Sequence, residues 1–383
     1  MTTTDVTTSR FIEPLDVLFL RGNQLFGEPG SYGEALMPPW PSVAAGALRT
    51  RLLADDGVDL AAFAAGRAPH PGLGTPAQPG PFVLHAFQVA RKLEDGSIEL
   101  LMPLPADVVV AGQEGSPQPE VGAVQTLRPT TLHPALASSG PLALLPVLAQ
   151  GDARSKPASG WWLRASGWRS CLQGQALTAN DLVHTSDLWR YDERIGIGLD
   201  DGTRSAADGK LFSARAVALC AGVGFAVAAS GAELPQGGSL RLGGDGRAAV
   251  LQSAAIDWPE PDHAAIAQAQ RCRIVLTSPG IFAGGWRLPG MADDNTLRLP
   301  GLRARVVAAA LSRADTVSGW DLATRQPKPA QKAAATGSVY WLDDLDATPD
   351  ALGKLAAHGL WDQPCEDAQR RAEGFNRFSF ASF

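Results

Sequence analysis

Apolar and polar residues alternate through "FIEPLDVLFL" (11–20), a period of two that predicts a strand. The Pro-rich run after it stops at Ser42, and "SVAAGALRTRLLA" (42–54) reads as a helix. Runs at 82–91 and 97–110 predict two strands flanking an Asp95-Gly96 turn. From about 111 to 180 Pro, Gly and Ser interrupt every period, which predicts an insertion of loops and short elements. Residues 182–212 begin as a strand and end in a polar, glycine-punctuated loop. Strand-type runs follow at 213–229 and 239–253, joined through Gly237-Gly238, the second turning at "GGDG" (243–246). A short helix at 260–270, a Gly/Trp loop at 281–290 and an exposed linker at 325–334 come next. A strand at 337–344, a helix at 348–358 and a closing strand at 375–380 complete the order. Many short strands with few helices predict an α+β chain, its sheets covered by helices on one side.

Length and charge narrow the function classes. The 383 residues provide for two or three domains. No uncharged apolar run reaches the roughly 18 residues of a membrane span, and "MTTTDVTTSR" lacks a secretory layout. Cys171, Cys220, Cys272 and Cys365 are too scattered for a zinc knuckle or a disulfide framework. These features predict a cytoplasmic chain without metal, cofactor or membrane. The net charge of -6 does not announce a nucleic-acid binder. Most of the 33 basic residues, however, are arginines, the cation suited to bidentate phosphate contacts and to stacking. A GC-rich coding sequence would give the same bias.

Catalytic patterns are missing. None of His70, His85, His133, His184, His263 and His358 sits in a nucleophile elbow, an H-E-x-x-H pair or a Cys-His spacing. No Walker loop or strand-G-x-G-x-x-G-helix unit occurs. In "LRLGGDGRAAVL" only Asp245 is acidic, and one carboxylate cannot hold two metals. The turn reads either as a hairpin tip or as open backbone at Gly243 and Gly244 that admits a phosphate or base beside Arg247. Ser42 is a candidate cap for the first helix, whose N-terminus suits an anion. Gly46 permits close approach of a backbone, and Arg49 follows about two turns from the cap. An ordinary packed helix with solvated arginines accounts for the same residues. The terminal "RRAEGFNRFSF" mixes glycine, aromatics and guanidiniums, as single-stranded RNA sites do.

"IEPLDVLFLRGNQLFG" followed by "MPPWPSVAAGALRTRLL" resembles the amino terminus of RAMP-superfamily CRISPR proteins. More closely it resembles the third Cmr subunit of type III-B effector complexes, a relative of the Cas-five 5′-end subunit. "ERIGIGLDDGTRSAADGKLF" (193–212), "LGGDGR" (242–247) and "AEGFNRFSF" fit in order. The resemblance implies two ferredoxin-like (RRM-related) RAMP domains, 1–205 with the 111–180 insertion and 206–383. It also implies a non-catalytic subunit that holds the 5′ repeat-derived tag of the crRNA. Its implied neighbours are the large polymerase/cyclase-like subunit and a backbone RAMP subunit. On that reading Arg21, Asn23 and Arg49 contact phosphates or base edges, Ser42 orients the helix so that its amides meet phosphate, and Gly46 permits close approach. Gly243, Gly244 and Arg247 form a second contact; Trp286, and Phe375 with Arg377, supply stacking. Two rivals stand beside it. One is a metal-independent RAMP endoribonuclease using His184 or His85 on precursor crRNA; the other is a purely structural assembly subunit.

Overall fold

The computed structural model describes residues 7–20, 32–33, 35–112, 120–133, 135, 138–148, 157–200, 202–321, 324, 326–362 and 367–383. Two compact units emerge. The first comprises Met1–Ile98, Thr185–Ile256 and Val317–Ala330, the second Glu99–His184, Asp257–Thr316 and Gln331–Phe383. The units are interleaved along the chain, which passes between them five times.

In the first unit the labelled elements are β1 (Thr8–Pro14), α1 (Pro41–Asp55), β2 (Val83–Lys92), β3 (Trp189–Leu199), β4 (Ala206–Leu219), β5 (Val223–Ser230), β6 (Gly237–Arg241) and β7 (Ala248–Ser253). An antiparallel sheet runs β2-β5-β1-β7-β6. Phe11 faces Ala226 and Ile12 faces Phe225 across β1 and β5. Phe11, Ile12 and Phe225 are all buried, so both faces of this sheet are covered at its centre. Helix α1 buries Ala44, Ala45, Leu48 and Leu52, the i, i+4 stripe that its sequence supplies.

The helix start differs from the expectation. Trp40 is the cap residue and makes no side-chain cap bond, and Pro41 opens the helix. Proline is pre-set for the first helical position, so the helix begins one residue early and Ser42 falls inside its first turn.

A second correction concerns 182–212, expected to begin as a strand and end in a polar, glycine-punctuated loop. β3 and β4 pair from Trp189↔Leu219 to Leu199↔Ala206, forming one long antiparallel hairpin. Its glycines hid a period of two. Tyr191, Ile195, Ile197 and Leu199 project from one face with Leu211 of the partner strand, and all five are exposed. The boundary expected at 205/206 falls in the turn of this hairpin. The apolar run 213–229 is likewise two strands, broken after Leu219 by a turn with Gly222 at φ 75°.

In the second unit we label α2 (His263–Ala269), β8 (Cys272–Leu276), β9 (Thr296–Leu299), β10 (Leu302–Ala310), β11 (Val339–Ala347), α3 (Pro349–His358) and β12 (Phe378–Ala381). Their sheet is antiparallel in the order β9-β10-β11-β8-β12. Strand alternation divides the core in two. Ile274, Val306, Tyr340, Leu342 and Phe380 meet Ile266 of α2 and Leu352 and Leu355 of α3. Val275, Val307, Val339, Trp341 and Ala381 meet Trp168 and Cys171 of the helix Ala165–Leu172, within the segment expected as loops. Both faces of this sheet are therefore packed. α3 begins on a true cap, the Thr348 hydroxyl accepting from the Ala351 amide at 3.2 Å.

Two thiols lie in this core, and burial pushes Cys171 up to about 11 and Cys272 up to about 12. Only the thiolate is nucleophilic, so at pH 8 each reacts about a hundredfold or more slower than a free cysteine of ordinary pKa. In native protein treated with iodoacetamide, peptide mass spectrometry should find Cys171 and Cys272 unmodified. In urea both should label. Labelling of either in the native chain would contradict this packing.

Candidate nucleic-acid interface

Beyond β1 the chain makes three short connections that bring distant segments to one place. Leu18 bridges Val217 of β4, Phe19 bridges Gly244, and the Leu36 amide donates to the Leu20 carbonyl at 2.7 Å. The hairpin, the turn between β6 and β7, and the run into α1 therefore converge on residues 18–20.

The turn residues Gly243, Gly244 and Arg247 do come together here. Gly243 holds φ 77°, and a Cβ there would stand 2.8 Å from the Phe19 carbonyl oxygen. Only glycine fits such a left-handed, closely approached position. The Gly244 amide donates to that same oxygen at 2.8 Å. Arg247 stretches its guanidinium over the Phe19 ring, 5.0 Å from the centroid, and its Nη1 donates to Asp16 Oδ2 at 2.7 Å. Arg194 of β3 lies 6.0 Å from the same ring centroid. Phe19 is thus a partly exposed ring approached by two guanidiniums, its own carbonyl packed against the glycine turn. A ring flanked by guanidiniums is chemistry that grips a nucleic-acid strand.

Phe19, Arg194 and Asp16 were missed by sequence reading. Phe19 sits in a strand-like run and passes for core; Arg194 lay in a segment read as loop. The one available signal was an aromatic two residues before the Arg-Gly-Asn run.

The other expected contacts are placed differently. Arg21 and Asn23 lie outside the described residues. Gly46 is exposed with open space where a Cβ would stand, so no backbone approaches it; its carbonyl accepts from the Thr50 hydroxyl at 2.8 Å. Arg49 is half-buried with its guanidinium 5.5 Å from the Phe82 ring centroid. In the second unit Trp286 packs partly against the core, its carbonyl accepting from the Tyr340 hydroxyl at 2.7 Å.

Phe375 and Arg377 are interior, which corrects their reading as RNA contacts in this conformation. Phe375 is fully buried under the Arg370 guanidinium, which also pairs with buried Glu373 at 3.0 Å. Asn376, at φ 58°, ties the Ile281 amide and the Leu360 carbonyl with its side chain. Arg377 is 5 % exposed, its Nη1 donating to the Ala357 carbonyl at 2.6 Å. Burial and the neighbouring Arg371 push its guanidinium down to about 10. The terminal glycine, aromatic and arginine pattern is a structural lock.

The two histidines offered for cleavage chemistry lie in different surroundings. His85 bonds the Ser230 hydroxyl at 2.7 Å, and His184 packs edge-on against Trp161. Among the described residues no group of three or more His, Cys, Asp or Glu side chains could hold a metal ion. No described helix is long and apolar enough to cross a membrane.

A family model described as CRISPR-associated protein (Cas_Cmr3) matches residues 10–379, from β1 to β12. The match spans nearly the whole chain, the glycine turn and the hairpin included. The chain belongs to the Cas_Cmr3 family, as its resemblance to the third Cmr subunit implied. No curated protein matches it. Among solved structures it is similar to a chain of the type III-B Cmr-beta complex bound to cognate target RNA. Identity is 15%, coverage 97% of this chain and 96% of that one, and the TM-score 0.49. A chain of the same complex bound to cognate target RNA and AMPPnP is similar at 15% identity. There coverage is 98% and 99%, with a TM-score of 0.49.

Proposed function

We propose that this chain is the non-catalytic crRNA-holding subunit of a type III-B Cmr effector, acting in the cytoplasm in antiviral defence. It would hold the 5′ repeat-derived tag and anchor the large polymerase/cyclase-like subunit beside a backbone RAMP subunit. Family membership supports the setting. The observation that carries the RNA role is Phe19, approached by Arg194 and Arg247 at the Gly243-Gly244 turn. Arg21 and Asn23 follow Phe19 by two and four residues and belong to the same proposal. The apolar face of the β3–β4 hairpin suits a protein neighbour better than a polyanion, because Ile and Leu offer neither charge nor a flat ring. The antiparallel sheets agree with two RAMP domains of ferredoxin-like descent.

Filter binding with tagged and scrambled RNA tests the site. Phe19→Ala should weaken tagged-RNA binding by about 1–3 kcal/mol, the usual loss of one stacking ring. Arg247→Ala should weaken it too and flatten its salt dependence by about one phosphate contact. Unchanged affinity in both variants would sink the assignment. The same mixtures without metal should show no RNA cleavage; cleavage lost on substituting His85 or His184 would favour the endoribonuclease. RNA binding seen only with partner chains present would favour a purely structural subunit.

A further inference from the structure

Both guanidiniums that reach the Phe19 ring carry a carboxylate of their own. Arg247 Nη1 donates to Asp16 Oδ2 at 2.7 Å, and the second oxygen, Oδ1, accepts from the Val17 amide at 2.7 Å. The aspartate is therefore oriented by its own backbone as well as by the arginine. Arg194 holds Asp192 Oδ2 with Nε at 2.9 Å and Nη2 at 2.8 Å, two residues back on the same strand and the same face. The side chain of Asp16 is 57 % exposed and that of Asp192 42 %. Ion pairs so open to water add little to stability, which gives folding little reason to match both cations at the ring in this way.

We infer that Asp16 and Asp192 are specificity-determining residues of this interface: their carboxylates repel RNA that offers only phosphates and admit RNA that sets a base on the Phe19 ring. The inference rests on the RNA-holding reading above and deepens it by naming what the site rejects. Binding to an arbitrary strand is almost wholly phosphate contact, in any register the strand allows. Each phosphate that approaches Arg247 or Arg194 meets a carboxylate already bonded there, and like charges repel at such short range. A strand anchored by a base on the ring approaches from one side only. Asp16 occupies Nη1 of Arg247, and among the described residues Nη2 has no hydrogen-bond partner, so it remains for that strand. Specificity is a difference of affinities, and a repulsive group that burdens the wrong ligand more than the right one widens it.

The test is filter binding of the full-length chain with tagged and scrambled RNA at low and high salt. Asp16→Asn should lower the Kd for scrambled RNA about 2- to 5-fold at low salt, the scale of one exposed ion pair, with tagged RNA changing less. Asp192→Asn should act in the same direction, and Asp16→Glu, which keeps the charge, should bind as the native chain does. The gain should fade at high salt, where exposed charges are screened. Scrambled-RNA affinity unchanged by both Asn variants would overturn the inference. So would an equal gain for both RNAs, which would leave discrimination as it was. Weaker binding of both RNAs by Asp16→Asn would also overturn it, making the aspartate a mere support for Arg247. All three outcomes leave the RNA-holding role standing. A native chain that binds neither RNA, alone or in its complex, would overturn that reading itself.

Discussion

Asp107→Ala should cost the second unit about 3–5 kcal/mol, the penalty for stranding one member of a buried ion pair. Asp107 is fully buried and Arg273, on β8, is 4 % exposed. The arginine donates through Nη1 to Asp107, through Nη2 to the Cys171 carbonyl at 2.6 Å, and through Nε to the Ser382 carbonyl at 3.2 Å. The carboxylate is its only anionic partner in that set. Without it a guanidinium remains in a core that already excludes water from Trp341 and Val275. Relaxation is restricted because the same arginine joins the helix Ala165–Leu172 to the strand end at Ser382. Urea titration followed by circular dichroism measures the loss. The companion double substitution, Asp107→Leu with Arg273→Met, should be far milder, since removing both charges leaves no orphan. A double variant as unstable as the single would show that shape, not charge compensation, governs this site.

In the first unit, Phe11→Ala should cost about 3–5 kcal/mol by leaving a ring-sized cavity at the centre of the sheet. Phe11 is fully buried, and the neighbouring strand is cut away to receive it: a Cβ on Gly224 would fall 2.7 Å from Phe11 Cζ and 2.4 Å from the Ile12 carbonyl oxygen. Gly224→Ala should therefore destabilise by about 1–3 kcal/mol through overpacking, even though alanine is the better strand former. The pair is not additive. Once the ring is gone part of the clash disappears, so the double variant should lose less stability than the sum of the two single losses. Thermal unfolding of the three variants checks this, and strict additivity would contradict the contact.

Sequence patterning revealed α1, α3 and the hairpin closed by the GGDG turn, because each combines a clear period with the turn or cap chemistry its ends require. It caught β3 and β4 only in part and missed that they pair as one long hairpin. Glycines at 196, 198, 202 and 209 punctuate them, and their apolar face is exposed, so the alternation carried no burial signal. It gave the helix Ala165–Leu172 only as an unplaced short element of 111–180, because a Gly- and Ser-containing stretch offered no long stripe. At the candidate interface the turn Gly243-Gly244 was legible, since positive φ leaves its mark in composition. Phe19 was not, because whether a strand aromatic faces core or open surface is decided by strands that arrive two hundred residues later. The terminal motif misled for a related reason. Guanidiniums and rings serve equally to bind a ligand or to lock a chain end, and only the surrounding packing separates the two.

The interleaving of the two units has a consequence for biosynthesis. β1 pairs with β5 and β7, which follow it by some two hundred residues, so its sheet cannot close until the ribosome has released residue 253. Until then some two hundred nascent residues must wait with Phe11 and Ile12 uncovered. Splitting the gene at codon 205 would leave β3 on one polypeptide and β4 on the other, so neither half would be a self-sufficient product.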